Sequence, residues 1–247
     1  MTLKLLSYNI RHGGAGREAQ MSEVINAVAP DIVVLQEATR PDVVERLADM
    51  TGMKFWGAKI GYSLGYLSRT EIESDAWHKP PELRRAFLEL KPVGSEMTVF
   101  GVHLSAVHSN WTERRRIREL DALLRAIRMR RESFHVVTGD MNTLAPGELL
   151  DHKRLPLRLR IAAWVTGGRV KYQTIQRMLD AGYVDGYRSL HAEPGFTFPT
   201  WDPHVRLDFL FVPPNFATKL KTCEVITEPP AAHASDHFPL LSEVDAG

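Results

Sequence analysis

Acidic, amide and imidazole side chains stand at the ends of many short apolar runs in this sequence. HVVTGDMN closes on Asp140 and Asn142, and VVLQE closes on Glu37. The whole set consists of Asn9, Gln36, Glu37, His103, Asp140, Asn142, Asp208, Asp236 and His237. Singly, each could be a turn residue, a helix cap, a surface carboxylate or a core histidine. Together they indicate a site, because buried polar groups cost free energy unless they satisfy one another.

The residue types in this set suit one kind of chemistry. Carboxylate and amide oxygens are the ligands that hard cations such as Mg²⁺ and Mn²⁺ take, whereas a lone Cys223 and the lack of an HExxH helix argue against a zinc protease. A hard cation polarises a phosphoryl group and activates a water. A carboxylate can orient that water while histidines stabilise the developing charge. The set therefore predicts metal-assisted chemistry on a phosphate ester.

Strands must deliver most of these side chains. Short runs rich in β-branched or aromatic residues indicate strands, and mostly apolar strands indicate burial on both faces. The predicted strands span residues 3–10, 31–37, 64–69, 84–90, 97–104, 133–140, 206–212 and 220–226, with a last one in FPLLSEV after the SDH motif.

Helical spacing lies between some of these strands. Residues 17–28 repeat apolar side chains at three- and four-residue intervals and stop at Pro30. Residues 112–130 carry a longer apolar stripe, for which Thr112 is the predicted N-cap. Strands mixed with helices predict an α/β layered sandwich, and the even spread of apolar runs predicts one domain over residues 1–247.

Composition limits the remaining classes. The chain has 247 residues, with 31 Lys plus Arg against 30 Asp plus Glu, so its net charge gives no general attraction to nucleic acid or to an anionic membrane. A single cysteine excludes an internal disulfide. We expect a soluble cytoplasmic monomer without stable membrane insertion, since no signal peptide and no membrane-length apolar run is evident.

The order of the motifs resembles a known family. SYNIR, PDIVVLQE, LGYLSR, VHL, TGDMN, RLDFLFV and SDHFPL follow one another as in the endonuclease/exonuclease/phosphatase superfamily, the metal-dependent phosphoesterases that include deoxyribonuclease I-like and exonuclease III-like enzymes. The resemblance covers residues 3–244. It implies a four-layered αββα sandwich, with two mixed sheets packed face to face, helices outside and the site at the mouth between the sheets.

The resemblance also implies a metal site. Glu37 of the LQE motif should hold Mg²⁺ or Mn²⁺, with Asn9 beside it. Asp236 of the SDH motif should be a further ligand, or a ligand of a second ion.

The catalytic roles follow from the same resemblance. Asp140 should orient or deprotonate the attacking water, and Asn142 should bind the phosphate or a metal. His237 should lie over the scissile phosphate, with Asp208 fixing its tautomer. His103 should bind a phosphate oxygen or protonate the leaving group. Whether His237 acts as base, acid or electrostatic clamp stays open at this point.

Three arginines are the predicted substrate contacts. Arg114 and Arg115 follow the strand that carries His103, and Arg69 ends the LGYLSR motif. Arginine-rich helix faces can neutralise nucleic-acid phosphates. The alternative is a solvated helix face that is balanced by neighbouring acidic residues.

The stretch from 144 to 205 is the least regular part of the chain. Helices are predicted in residues 155–168 and 171–187. The segment KRLPLRLRIAAWV could lie on a membrane or close over a substrate, or form a packed surface helix. Phe198 and Trp201 could stack on a base or a sugar, or plug the core.

The substrate stays open between nucleic acid, phospholipid headgroup and a small phosphate ester. The alternative function is a binding module for nucleic acid or lipid that keeps the fold without catalysis.

Overall fold

Two six-stranded sheets form the frame of the molecule. The computed structural model describes residues 1–80, 84–107, 109–128, 133–149, 151, 154 and 171–247. The first sheet contains, in spatial order, β11 (Leu220–Val225), β12 (Leu240–Asp245), β1 (Thr2–Asn9), β2 (Ile32–Gln36), β4 (Leu64–Ser68) and β3 (Phe55–Ala58). The second contains β5 (Ile72–His78), β6 (Phe87–Pro92), β7 (Thr98–His103), β8 (His135–Asp140), β10 (Asp208–Val212) and β9 (Val184–Asp185). Both sheets are mixed, because β1 pairs with β2 and β7 with β8 in parallel, beside antiparallel pairs.

Successive side chains of a strand point to opposite faces of the sheet, and both faces of each sheet are buried. Leu5 of β1 and Val34 of β2 pack against Leu88 of β6 and Val136 of β8, which puts one apolar core between the sheets. The next residue of β1, Leu6, faces the other way into a helix-covered core. Each fully buried aliphatic side chain contributes about 1.5–3 kcal/mol to folding, so the double-sided burial explains the nearly continuous apolar strands.

Helices cover the two outer faces. The described helices are α1 (Glu18–Val28), α2 (Pro41–Thr51), α3 (Asn110–Ile127), α4 (Thr174–Asp180), α5 (Gly186–Leu190) and α6 (Ala231–Ala234). The first sheet packs against α1 and α2, and the second packs against α3 and α4. The predicted four-layered αββα sandwich is confirmed.

The start of α3 differs from its prediction. Ser109, not Thr112, is the N-cap, because Ser109 has extended backbone angles and its Oγ accepts a hydrogen bond from the Thr112 N–H at 3.2 Å. Thr112 Oγ1 in turn accepts from the Ser109 N–H at 3.2 Å. The two residues form a reciprocal capping box, which fixes the start of α3 after the short segment that follows His103.

Several of the described elements were not predicted, among them β3, β5, β9 and α2. The strand β5 exposes polar side chains and so lacks an apolar run, while β3 is only half-buried and β9 spans two residues. The helix α2 does have periodic apolar residues, with Pro41 at its first turn and left-handed Gly52 after its end.

The helix predicted in residues 155–168 lies outside the described residues. Of the stretch 171–187, residues 174–180 form α4, and the next elements are β9 and α5. No helix among the described residues is long and apolar enough to cross a membrane.

Candidate active site

Strand pairing brings the polar strand ends to one edge of the sandwich. In the first sheet Asn9 is level with the last residue of β2, so Glu37 follows beside it. In the second sheet Asp140 is opposite His103 on one side and Asp208 on the other. A hydrogen bond of 2.9 Å from Asn9 Nδ2 to Asp140 Oδ2 joins the two sheets at this edge.

Asp140 is the centre of the cluster. Its Oδ2 also accepts from Asn142 Nδ2 at 2.9 Å, and its Oδ1 accepts from the Asn142 backbone N–H at 2.8 Å. Asn142 has a left-handed φ of 52°, which asparagine tolerates better than most residues. Gly139 is required before Asp140, because a Cβ at that position would collide with the Val102 backbone. The motif GDMN is thus both a tight turn and a holder for one carboxylate.

The pKa of Asp140 lies far from its usual range. Burial raises it to about 7, although the positive charge of His237 lowers it. The neighbouring charge of Asp208 raises it further. A carboxylate with a pKa near neutrality can accept a proton from water at physiological pH.

His237 and Asp208 form a buried pair. The distance from His237 Nδ1 to Asp208 Oδ2 is 2.8 Å. Burial lowers the pKa of His237, but the charge and hydrogen bond of Asp208 outweigh it and raise that pKa to about 10. His237 is therefore an imidazolium at neutral pH. Arg206, two residues before Asp208 in the sequence, binds Asp185 at 2.7 Å.

We expect Asp208→Asn to lower the pKa of His237. Without this carboxylate the effect of burial is opposed only by the charges of Asp140 and Asp236, so the pKa should fall clearly below about 10. NMR titration of the His237 ring measures this shift. Asp202→Asn is the matched control, since Asp202 contacts another histidine, His204, at 3.6 Å. A His237 that still titrates near pH 10 in Asp208→Asn would show that another group holds its proton.

His103 behaves in the opposite way. Burial, followed by the positive charges of Arg85 and His237, lowers the pKa of His103 well below 6.5. Its Nε2 lies 3.7 Å from Asp140 Oδ2, and its buried Nδ1 has no hydrogen-bond partner among the described residues. At neutral pH His103 is a neutral imidazole, so it can donate a hydrogen bond but carries no charge.

The predicted metal ligands lie on the first-sheet side of the cluster. Glu37 follows β2 with a left-handed φ of 57°, a strained conformation of the kind that occurs at functional sites. Its Oε2 accepts from the His12 backbone N–H at 2.6 Å. Asp236 Oδ2 lies 3.3 Å from Arg11 Nε. Both carboxylates remain partly exposed, with side-chain exposures of 28% and 18%.

Two groups of residues could hold a cation. The oxygen donors Glu37, Asn9 and Asp236 fit a hard divalent ion by their chemistry. Asp140, Asp208 and His237 also have ligand atoms within 4.8 Å of one another. In that second group His237 Nδ1 is bound to Asp208, and both oxygens of Asp140 accept hydrogen bonds. The Oδ1 atom of Asp208 is buried without a partner among the described residues, which marks a place for a further donor or an ion.

One of the three predicted substrate arginines, Arg69, does not reach the site. Arg69 follows β4 and donates its backbone N–H to Asp31, at the start of β2, whereas Glu37 follows the end of that strand. Because β2 and β4 are antiparallel, Arg69 lies at the far end of the sheet and the structure does not bring it to the site. The sequence showed the motif but not the strand direction.

The arginines of α3 have different environments. Arg114 is exposed, and Arg115 stacks on Trp111 with its guanidinium 3.9 Å from the ring centroid. Arg116 is fully buried and bound to Glu113 at 2.7 Å, so it is part of the core. Among the described residues, no hydrogen bond or ion pair joins Arg114 or Arg115 to the Asp140 cluster.

The aromatic loop borders His237. Phe198 lies over the His237 ring, with 4.8 Å between centroids, and Trp201 is 68% exposed beside Phe198. Thr200 donates its N–H to the Asp236 carbonyl at 3.0 Å, which ties the loop to the SDH motif. Phe198 therefore packs against the site, while Trp201 faces solvent.

Sequence reasoning missed two arginines and a histidine near the cluster. Arg11 contacts Asp236, His12 contacts Glu37, and the carboxylates of Asp140 and Glu37 act on the charge of Arg85. Arg11 and His12 follow directly on SYNI, so their position was readable. Arg85 stands in a predicted strand, and only the sheet order places it here.

Solved structures share this architecture over nearly the whole chain. An AP endonuclease from Archaeoglobus fulgidus has a TM-score of 0.73 and 20% identity, with 99% of this chain and 100% of that chain covered. The 3′ phosphatase NExo from Neisseria, bound to product DNA hairpin, has a TM-score of 0.72 and 21% identity, covering 98% and 99%. Humanized D. rerio TDP2 has a TM-score of 0.69 and 16% identity, covering 99% of each chain. The fold is thus that of deoxyribonuclease I-like proteins.

The family follows from the sequence. The model of the Endonuclease/Exonuclease/phosphatase family matches residues 6–237. The protein belongs to this family, which confirms the resemblance seen in the motifs. No curated protein matches the sequence significantly.

Proposed function

We propose that the protein is a divalent-metal-dependent phosphodiesterase. The observation that carries this proposal is the buried Asp140, held by Asn9 and Asn142 opposite the His237–Asp208 pair. A carboxylate with a pKa of about 7 next to an imidazolium is an arrangement that can activate water and stabilise negative charge in one place.

The cation would be held by Glu37, Asn9 and Asp236. Their oxygen donors favour Mg²⁺ or Mn²⁺ over softer metals. When bound, such an ion polarises a phosphoryl oxygen and lowers the pKa of a coordinated water. The hydrogen bond between Asn9 and Asp140 connects these ligands to the carboxylate that would act on the water.

The chain's own residues then divide the remaining work. Asp140 orients the attacking water and takes its proton. His237, kept positive by Asp208, stabilises the charge that develops on the phosphate oxygens, which assigns it the electrostatic role. His103 is neutral and donates a hydrogen bond to a phosphate oxygen. The side-chain amide of Asn142 holds the Asp140 carboxylate in place. All of these groups are buried at one edge, where electrostatic interactions are stronger than in water.

Nucleic acid is the favoured substrate class. The neighbours named as an AP endonuclease and as a DNA-bound 3′ phosphatase have the same fold over nearly the whole chain. The exposed Trp201 beside Phe198, and the Arg115–Trp111 stack, offer aromatic and cationic surfaces of the kind that bind single strands.

A binding module without catalysis is the alternative. It gains nothing from a buried carboxylate whose charged form is disfavoured by desolvation. The free-energy cost of burying this carboxylate is explained if Asp140 acts as a base, so a catalytic function is the better proposal.

Hydrolysis of bis(p-nitrophenyl) phosphate beside p-nitrophenyl phosphate tests the function. We expect cleavage of the diester with Mg²⁺ or Mn²⁺, loss of cleavage with EDTA, and slower cleavage of the monoester. Equal rates with and without EDTA would contradict the metal requirement. If neither ester is cleaved, single-stranded and duplex DNA, RNA and phospholipids should be assayed for both turnover and binding. Binding without turnover would favour the alternative.

Glu37→Gln tests whether Glu37 is a metal ligand in the same assay. It removes one negative charge from the proposed ligands but keeps the side-chain size, so half-maximal activity should require more Mg²⁺. Glu89→Gln, a partly buried carboxylate that contacts His78 at 2.8 Å, is the matched control and should leave the metal titration unchanged. An unchanged titration in Glu37→Gln would remove Glu37 from the ligand set.

A further inference from the structure

Arg85 lies beside the candidate site but belongs to none of the sequence motifs. It stands just before β6, and β6 is the neighbour of β7, the strand that ends in His103. Its Nη1 donates a hydrogen bond of 3.3 Å to the Leu104 carbonyl. The same carbonyl accepts from Asn142 Nδ2 at 3.1 Å. Arg85 and the GDMN turn therefore meet on one backbone oxygen.

The guanidinium of Arg85 has more donors than partners. A guanidinium carries five N–H donors, and the bond to Leu104 is its one hydrogen bond within the described parts of the chain. None of the ion pairs in those parts includes Arg85. Burial lowers the pKa of Arg85 from its ordinary value, so the group is partly desolvated although its donors are mostly unused. Unused donors in such a position favour an anion that can accept from them.

Other arginines near this edge are already committed. Arg116 and Arg206 are fully buried and bound to carboxylates. Arg17 donates to the carbonyls of Ala234 and Ile10. Arg11 lies 3.3 Å from a carboxylate oxygen of the SDH motif. Within the described residues, Arg85 is the partly buried arginine at this edge that makes a single hydrogen bond, whereas Arg11 is exposed.

The charges around Arg85 explain why a cation is needed there. The carboxylates of Asp140, Glu119 and Glu37 act on it and oppose the effect of burial on its pKa. A phosphate that approaches Asp140 and Glu37 is repelled by both. A positive charge close to these carboxylates offsets that repulsion.

We propose that Arg85 binds a non-bridging oxygen of the substrate phosphate next to Asp140. The inference rests on the proposed function for its substrate. Its geometry rests on the Leu104 carbonyl, which holds Arg85 in a fixed relation to Asn142. Arg85 thus takes the phosphate-binding role that the sequence analysis predicted for Arg69, and the charges of Asp140 and Glu37 act on it.

Inorganic phosphate tests this site without turnover. Calorimetric titration with phosphate in the presence of Mg²⁺ should show a Kd about 10- to 100-fold weaker for Arg85→Ala, the effect of losing charge-assisted hydrogen bonds. Arg84→Ala is the matched control, because Arg84 is the adjacent exposed arginine and its loss changes the net charge equally. Equal phosphate affinity in wild type and Arg85→Ala would overturn the proposal. A wild type with no measurable phosphate affinity would overturn it too.

Turnover gives a second readout. With bis(p-nitrophenyl) phosphate, kcat/KM should fall in Arg85→Ala, fall less in Arg85→Lys, and recover partly when free guanidinium ion is added to Arg85→Ala. A loss that guanidinium does not restore would assign Arg85 a structural role and overturn the proposal. A wild type that hydrolyses no ester would count against the proposed function, while weaker phosphate binding by Arg85→Ala would still support the anion site.

Discussion

Asp140→Asn should reduce kcat/KM for a phosphodiester by about 10²- to 10⁴-fold, the usual contribution of a general base. The reason is that an amide cannot accept the proton of the attacking water. Asparagine keeps the size of the side chain and one oxygen that can accept from Asn9 and Asn142. The loss should therefore appear in kcat, measured with bis(p-nitrophenyl) phosphate at saturating metal.

Asp121→Asn is the control for this substitution. Asp121 lies on α3, where its carboxylate binds Arg177 at 2.9 Å away from the cluster. Its replacement should leave the rate unchanged, and circular dichroism should show both variants folded. A folded Asp140→Asn protein with the wild-type rate would exclude Asp140 as the base and would leave the fold assignment untouched.

The pH profile gives an independent check on Asp140. Burial raises the pKa of this carboxyl to about 7, and only the deprotonated form can accept a proton. Activity should fall as the pH is lowered through this region, by about tenfold for each unit below the pKa. His237 has a pKa of about 10 and stays protonated throughout, so it does not produce this limb. The residual activity of Asp140→Asn should lack the limb.

Much of the site was predictable because strand ends are local features. An apolar run that stops on a polar residue is visible in the sequence, and the parallel pairs β1–β2 and β7–β8 bring such stops to one edge. Asn9, His103 and Asp140 could therefore be placed together before the structure was known. The contact between Asn9 and Asp140, 131 residues apart, needed the packing of two sheets.

The sequence misleads where the position of a side chain depends on strand direction or on contacts formed only in the tertiary structure. Arg69 follows a strand like the others, but its strand runs the opposite way, so the residue lies at the other end of the sheet. Arg116 reads as one more cation in an arginine-rich helix. Only the tertiary structure buries it against Glu113, while Arg114 two positions earlier stays exposed.

Glu113→Ala should be the most destabilising single substitution in the first turn of α3. Glu113 is 2% exposed, and its Oε2 accepts from Arg116 at 2.7 Å and from Thr143 Oγ1 at 2.9 Å. Its Oε1 accepts from the N–H groups of Gln173 and Thr174 at 2.7 and 2.8 Å. Removing the carboxylate leaves the Arg116 charge buried and unpaired, which costs about 3–5 kcal/mol.

Urea unfolding at pH 7 measures this effect. Glu18→Ala is the control, because Glu18 also binds an arginine, Arg46, at 2.7 Å but does so at the surface, where an ion pair contributes little. A Glu113→Ala protein as stable as Glu18→Ala would show that the Arg116 charge finds other compensation. Since Thr143 follows Asn142 directly, the destabilised variant should also hold the GDMN turn less firmly.

The same ion pair fixes the sign of a pH effect on stability. Burial raises the pKa of Glu113, but the charge of Arg116 and the hydrogen bonds from Thr174 and Gln173 outweigh it and bring the pKa below its ordinary value of 4.5. A lowered folded-state pKa means that the stabilisation is complete above pH 4.5 and is lost as the pH falls through the folded value. The stability difference between wild type and Glu113→Gln should therefore be largest at neutral pH and shrink below pH 4.5. A difference that stays constant with pH would mean that Glu113 acts through its shape and hydrogen bonds, not through its charge.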